Sequence, residues 1–326
     1  MIRRLQYYTD GGTDPYENLA KESHLLEAVR EDTCLLYLWQ NRDTVVIGRN
    51  QNALAECRVE LLKAEGGRLA RRLSGGGAVF HDLGNLNFTF LATEENFDLP
   101  RQMSVIREAC RLAGIETELS GRNDILADGR KFSGNAFYHA RGRAYHHGTL
   151  LISADLERLG RYLTPPKAKL TAKGIPSVRA RVLNLASLAP GLTPEAMKGH
   201  LLSAFGAVYG LPPESYGPIP AAAIAEAAKH YASAEYLYDS PLPYDMRLLA
   251  SASFGHLDWQ LQVKDGRIRD MSLYTDSIDT ELPDLIRGAL LGQHFDLSAV
   301  REALLSRLPR EVAEELSSLL AEQVFG

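Results

Sequence analysis

Four stretches of this chain gather residue types that can handle a charged or activated ligand. The first is Arg71-Arg72-Leu73-Ser74-Gly75-Gly76-Gly77-Ala78-Val79-Phe80-His81-Asp82. Three successive glycines let a backbone approach a ligand closely and turn its amides toward an anion. Two adjacent arginines can grip phosphate or carboxylate through planar forks. A bare triple glycine is equally a flexible turn, and only its flanking arginines, histidine and aspartate raise the chemical reading. The Gly-Lys-Ser/Thr ending of a Walker loop and the GxGxxG spacing of a dinucleotide site are both missing.

The second stretch is Gly121-Arg122-Asn123-Asp124-Ile125 followed by Gly129-Arg130-Lys131-Phe132-Ser133-Gly134-Asn135-Ala136. A lysine beside Ser-Gly, near an acidic strand start, can set one ammonium next to a transferring phosphoryl or acyl group. Asp-Gly-Arg is also good sequence for an exposed hairpin. The third is His146-His147-Gly148-Thr149. Neighbouring histidines in a strand face opposite sides, so the pair does not suit one metal, and a structural role is the simpler reading. The fourth is the run from Pro165 to Val182, with Lys167, Lys169, Lys173, Arg179 and Arg181 and no acid among them. It fits either a loop closing over a polyanion or a solvated surface segment.

The elements that must position these residues are short. A strand is expected near residues 5–9, then a helix opened by Asp14-Pro15, since Asp14 can cap and Pro15 suits the first helical position. Residues 34–39 and 44–47 read as a hairpin across a polar turn. Leu86, Phe88 and Phe90 alternate with Asn87 and Thr89, the pattern of a half-buried strand. Residues 100–112 form a helix stopped by Gly114, and strand-like stretches follow at 124–127, 131–132, 136–139 and 144–152. Many short strands without regular strand–helix alternation favour an α+β fold with a mixed or antiparallel sheet. A proline-rich stretch with an alanine-rich helix at 221–228 precedes a boundary between 243 and 244. Beyond it, two strands (254–263 and 267–274) meet at Lys264-Asp265-Gly266, a hairpin signal. Helices at 283–291 and 297–323 complete a small second domain of about 80 residues, large enough to fold alone.

Hydrophobic residues are 45% and charged residues 24% of the 326, ordinary for a globular protein with a sizeable core. The net charge of -5 argues against a dedicated nucleic-acid binder. Cys34, Cys57 and Cys110 are odd in number and unpaired in spacing, which fits a reducing cytoplasm rather than a disulfide framework. The first residues lack a signal-peptide pattern, and no segment reaches the roughly 20 apolar residues that span a bilayer. A monomer is the default expectation.

In order and together, these segments resemble the lipoate–protein ligase A family. The match runs through residues 71–85, 121–125, 131–134, 146–151, 173–175 and 179–184, with Val46-Ile47-Gly48-Arg49-Asn50-Gln51-Asn52 as a further family segment. It spans nearly all of residues 1–243, and residues 244–326 resemble the family's accessory domain less sharply. One departure stands just before that domain, where a family Glu-x-x-Trp-like segment reads Glu235-Tyr236-Leu237-Tyr238.

The resemblance implies a catalytic domain related to biotin ligases and class II aminoacyl-tRNA synthetases. It implies Mg-ATP-dependent activation of lipoate to lipoyl-AMP, then transfer to a lysine of lipoyl domains in 2-oxoacid dehydrogenase E2 subunits or glycine-cleavage H protein. It assigns the catalytic role to Lys131. It assigns nucleotide or adenylate binding to Arg72, Gly75, Gly76, Gly77, Ala78, Val79, Phe80, Asn123, Asp124, Lys131, Lys173 and Arg179. Gly77, Val79, His81 and His147 line the lipoate pocket in the same comparison, and Asp124 is the candidate Mg²⁺ ligand. The rivals are an ATP-independent octanoyl or lipoyl transferase, some of which use a cysteine nucleophile, and a non-catalytic acyl-carrier-binding protein. Biotin ligase is a fainter one, resting on Arg141-Gly142-Arg143.

Overall fold

The computed structural model describes residues 1–120, 123–164, 182–238 and 244–324. Its centre is an eight-stranded mixed sheet built from β1 (Arg4–Thr9), β2 (Thr33–Trp39), β6 (Asn85–Thr93), β7 (Glu118–Ser120), β8 (Asp124–Ala127), β9 (Arg130–Ala140), β10 (Arg143–Leu151) and β11 (Pro213–Ser215). The order is β11-β1-β2-β6-β10-β9-β8-β7. β1 runs parallel to both β11 and β2, and the remaining pairs are antiparallel.

Both faces of this sheet are covered. Against one lie α4 (Leu99–Leu112) and α6 (Pro194–Tyr209), with Leu36, Leu38, Phe88, Phe90, Ile106, Leu201 and Phe205 in one apolar cluster. Against the other lie α1 (Pro15–Ala28) and α7 (Ala221–Ala232), sharing a cluster with Leu35, Tyr37, Trp39, Leu91 and Tyr145. Alternate β2 residues thus enter opposite cores, which is why a strand of seven has no polar face. Asp14 caps α1 as expected, its carboxylate accepting from the Tyr16 and Glu17 amides.

The expected hairpin of residues 34–39 and 44–47 does not form. β3 (Thr44–Ile47) leaves β2 and pairs instead with β4 (Arg68–Arg71) and β5 (Val79–His81) in a separate three-stranded sheet. All of β2 and β3 is buried, and two strands without a solvent face are better covered in different layers than paired with each other. β6 departs from expectation too: Asn85, Asn87 and Thr89 are at most 1% exposed, so the polar side of this central strand is enclosed rather than half-solvated. The stretches at 131–132 and 136–139 are one strand, β9.

Residues 244–324 form their own apolar cluster around Trp259, Met271, Ile286, Leu304 and Leu316. A three-stranded antiparallel sheet of β12 (Met246–Ala252), β13 (Gly255–Lys264) and β14 (Arg267–Thr275) packs against α9 (Leu282–Leu290), α10 (Leu297–Arg307) and α11 (Arg310–Gln323). Asp265 and Gly266, with φ of 53° and 69°, make the tight turn that the Asp-Gly pair announced. The single helix expected over 297–323 is two, broken before Pro309, where proline cannot continue a helix.

Candidate active site

Arg72 is pulled inward at the end of β4. Its guanidinium donates to the carbonyls of Gly75 (2.7 Å), Gly77 (2.8 Å) and Val46 (3.2 Å) and to Ser74 Oγ (3.1 Å). Arg71 points the other way and donates to the carbonyls of Arg49, Gln51, Tyr236 and Leu237. Both forks therefore brace backbone around the glycine loop, the part of the arginine chemistry that the sequence left open.

The three glycines answer different demands. A Cβ on Gly75 would overlap the carbonyls of Ser277 and Ile278 from the C-terminal part. Gly76 sits at φ 89°, where side chains are strained, and its amide donates to the Ser277 carbonyl at 3.1 Å. At Gly77 a Cβ would touch nothing within 4 Å, so neither packing nor backbone strain demands glycine there.

Beneath the loop runs a buried polar chain. Glu22 Oε1 accepts from Thr89 Oγ1 at 2.7 Å and from His147 Nδ1 at 2.9 Å, while His147 Nε2 meets Ser74 Oγ at 2.7 Å. The carboxylate fixes the proton on Nδ1, leaving Nε2 to accept from the serine hydroxyl. His146, on the opposite face as its place in a strand requires, contacts Asn135 Oδ1 at 2.8 Å and Gln102 Oε1 at 3.2 Å. Burial, with His147 nearby, pushes its pKa down to about 3.

These elements enclose a cleft lined by Leu19, Trp39, Val46, Arg72, Gly76, Gly77, Ala78, Val79, His81, Asn87, Asn123, Lys131, Asn135, Ala136 and His147. Lys131 stands at its open end, 38% exposed, its ammonium 2.7 Å from Asp124 Oδ1. Gly134 lies so close to the lysine chain that a Cβ there would come within 3.1 Å of Nζ. Trp39, His81 and Asn87, at most 4% exposed, form the closed end.

Most of the sequence-derived site residues thus meet. Gly75 and Phe80 do not line the cleft. Gly75 backs onto Ser277, and strand alternation turns the Phe80 ring away to pack on Tyr162 at 5.2 Å, while Val79 and His81 face inward. Asp124 reaches the cleft through Lys131. Gly121, Arg122, Lys173 and Arg179 lie outside the described residues. Leu19, Glu22, Trp39 and Asn87 were not picked out from sequence, whereas Asn135 and Ala136 close the Lys131 stretch that was. For Asn87 a signal existed in the polar face of β6.

Among the described residues no three His, Cys, Asp or Glu side chains come together to hold a metal. The three cysteines are buried, and burial raises their thiols to about 12 at Cys34, 11 at Cys57 and 12 at Cys110. Arg141 and Gly142, the biotin-ligase-like pair, are the positive-φ turn joining β9 to β10. No helix among the described residues is long and apolar enough to cross a membrane.

Fold and cleft define a small-molecule-binding α+β domain with a lysine at the mouth of its cleft and an appended C-terminal unit. The lipoyl protein ligase A/B catalytic domain family matches residues 14–206, and the bacterial lipoate protein ligase C-terminus matches residues 242–320. The chain is 40% identical over 316 residues to a lipoate-protein ligase A of Bdellovibrio bacteriovorus, covering 94% of this chain and 93% of that one. The P. falciparum protein LipL1, solved in complex with lipoate, superposes with a TM-score of 0.81 at 25% identity over 98% of both chains. A lipoate-protein ligase A bound with ATP gives 0.60 at 24% identity, covering 72% of this chain and 98% of the other. The chain belongs to the lipoate–protein ligase A family.

Proposed function

We propose that this enzyme activates lipoate with ATP to give lipoyl-AMP and pyrophosphate, and then joins the lipoyl group to a lysine of a lipoyl domain. The observation that carries the reading is the position of Lys131. It offers one ammonium at the mouth of a cleft whose only other cationic wall residue among those described, Arg72, is already engaged by the carbonyls of Gly75, Gly77 and Val46. An acid whose tail fills the closed end would leave its carboxylate at this lysine.

In the first step a carboxylate oxygen of lipoate attacks the α-phosphorus, and the bond to the pyrophosphate leaving group breaks. Negative charge gathers on the α-phosphate oxygens, where the Lys131 ammonium and the loop amides after Gly76 are suited to meet it. In the second step an acceptor lysine amine attacks the acyl carbon, AMP departs and an amide forms with loss of a proton. The protein's contribution is chiefly alignment, because adenylation has already supplied a good leaving group.

Mg²⁺ fits the residues present. It takes most of its ligands from water and phosphate oxygens, so the single carboxylate of Asp124 at the mouth is a sufficient donor, and the ion would offset phosphate charge there. We assign Arg72, Gly76, Gly77, Ala78, Val79 and Asn123 to nucleotide and adenylate binding, with Gly75 and Phe80 supporting the loop. Lys173 and Arg179 are proposed to close over the adenylate. Val79, His81, Gly77 and His147 are proposed to hold the lipoyl tail. E2 subunits of 2-oxoacid dehydrogenases and glycine-cleavage H protein are the acceptors that this chemistry fits.

A transferase working through a thiol finds no support, since the raised cysteine pKa values leave almost no thiolate near neutral pH. The test is lipoate-dependent pyrophosphate release from Mg-ATP without acceptor, with lipoyl-AMP identified by mass spectrometry. Release supports the ligase. No release from folded protein, together with transfer from an acylated carrier, would establish the transferase instead.

A further inference from the structure

The closed end of the cleft carries two hydrogen-bond donors with nothing to donate to. His81 Nε2 and Asn87 Nδ2 are both fully enclosed and have no partner among the described residues.

Which His81 nitrogen bears the proton follows from a chain of contacts. Asn18 Nδ2 donates to the backbone carbonyl of Gln40 at 2.9 Å and Asn18 Oδ1 accepts from the Tyr37 hydroxyl at 3.1 Å, which fixes the orientation of that amide. The same nitrogen donates to Asn41 Oδ1 at 3.0 Å, so the other end of the Asn41 amide, its Nδ2, faces His81 Nδ1 at 3.2 Å. His81 Nδ1 must accept that bond and the ring proton sits on Nε2. Burial first, then the charge of Arg72 and the nearby His147, holds the His81 pKa down at about 3, so the ring is neutral and has this one donor. Asn87 Oδ1 already accepts from Asn85 Nδ2 at 2.9 Å, which leaves its amide N–H groups as the second donor.

A pocket meant only for a hydrocarbon tail gains nothing from buried, unsatisfied donors, since each carries a desolvation penalty. We infer that His81 and Asn87 are specificity-determining residues that read the sulfur end of the acyl chain, selecting a cyclic disulfide acid over an acid of the same shape that ends in hydrocarbon. Sulfur lone pairs are weak acceptors, enough to meet such donors where a methylene offers none. The inference rests on the lipoate reading of the cleft.

The experiment compares kcat/KM for pyrophosphate release with lipoate and with 5-cyclopentylpentanoate, which keeps the five-membered ring and replaces both sulfurs by methylenes. The unaltered enzyme should prefer lipoate by on the order of tenfold, the ratio that about 1.4 kcal/mol of hydrogen bonding produces. His81→Phe and Asn87→Leu should each narrow that preference. Equal kcat/KM for the two acids in the unaltered enzyme would overturn the inference while leaving the ligase reading intact, and needs no variant to fold. So would a preference that neither folded variant changes. Pyrophosphate release with neither acid would instead remove the ligase reading, and this inference with it.

Discussion

Gly75 lies against Ser277 with no room for a side chain between them, so the glycine loop of the catalytic cleft is also a seat for the C-terminal part. Two further bonds continue the seam: Thr275 N donates to the Asn50 carbonyl at 2.9 Å, and Asn50 Nδ2 donates to the Thr280 carbonyl at 2.9 Å. Gly75→Ala should therefore destabilise the protein by about 1–3 kcal/mol, the usual cost of forcing extra volume into a tight contact. Gly77→Ala meets nothing and should shift stability by less than about 0.5 kcal/mol. Urea midpoints of the two variants check this pair. Equal losses at both positions would contradict the division of roles among the glycines.

Lys131 and Asp124 form the other close relationship at the cleft. Removing the ammonium while keeping β9 should abolish charge stabilisation at the α-phosphate and leave the fold alone, because the side chain is 38% exposed and braces no core. Lys131→Ala is expected to lower lipoate-dependent pyrophosphate release by at least about a hundredfold, with an unchanged circular-dichroism spectrum. Release within a factor of two or three of the unaltered enzyme would remove Lys131 from the chemistry.

How much of this could be read in the residues depends on whether the signal was local. The Asp14 cap, the Asp265-Gly266 turn and the stop at Gly114 are set by residues next to one another, and all were legible. The pairing of β3 was not. Nothing in residues 40–43 says that the chain leaves one sheet for another, and the decision belongs to distant strands β4 and β5. The site divides in the same way. The glycines, Lys131 and His147 stand in recognisable strings, whereas Glu22, Trp39 and Asn87 come from three separated elements. Their roles appear only when the sheet brings them under the loop. Even Arg72 was half legible: its charge suggested a ligand, but the structure shows it bonded to the carbonyls of its own loop.

His81 and His146 make stability depend on pH. Burial lowers both to about 3, whereas an unfolded histidine titrates near its ordinary value of 6.5. Between those values the unfolded chain holds protons that the folded chain does not, so unfolding takes up protons and stability rises with pH. The contribution is complete above about 6.5 and is lost as pH falls toward 3. From 6.5 to 5 the loss should be on the order of 2 kcal/mol for each histidine, given about 1.4 kcal/mol per pH unit. Urea titrations at pH 7.5 and pH 5 test the sign, and a protein equally stable at both would show that these rings are not held neutral.

The cysteines supply the prediction that most directly separates a ligase from a thiol-dependent transferase. Cys34 belongs to β2, with its thiol directed to the Tyr209 hydroxyl at 3.7 Å, and Cys110 lies inside the α4 face of the same core. Cys57 belongs to the cluster around Val45, Leu62 and Phe80. None of the three lines the cleft, and burial disfavours the thiolate of each. Iodoacetamide at neutral pH should thus leave the native enzyme nearly unmodified and fully active. Cys57→Ala, Cys34→Ala and Cys110→Ala should each lose stability, by about 1–2 kcal/mol for a small buried side chain, yet keep pyrophosphate release at temperatures where they remain folded. A folded variant that loses pyrophosphate release would contradict a purely structural role for that cysteine, and a chain that releases none but transfers from an acylated carrier until one cysteine is replaced would identify that cysteine as a transferase nucleophile.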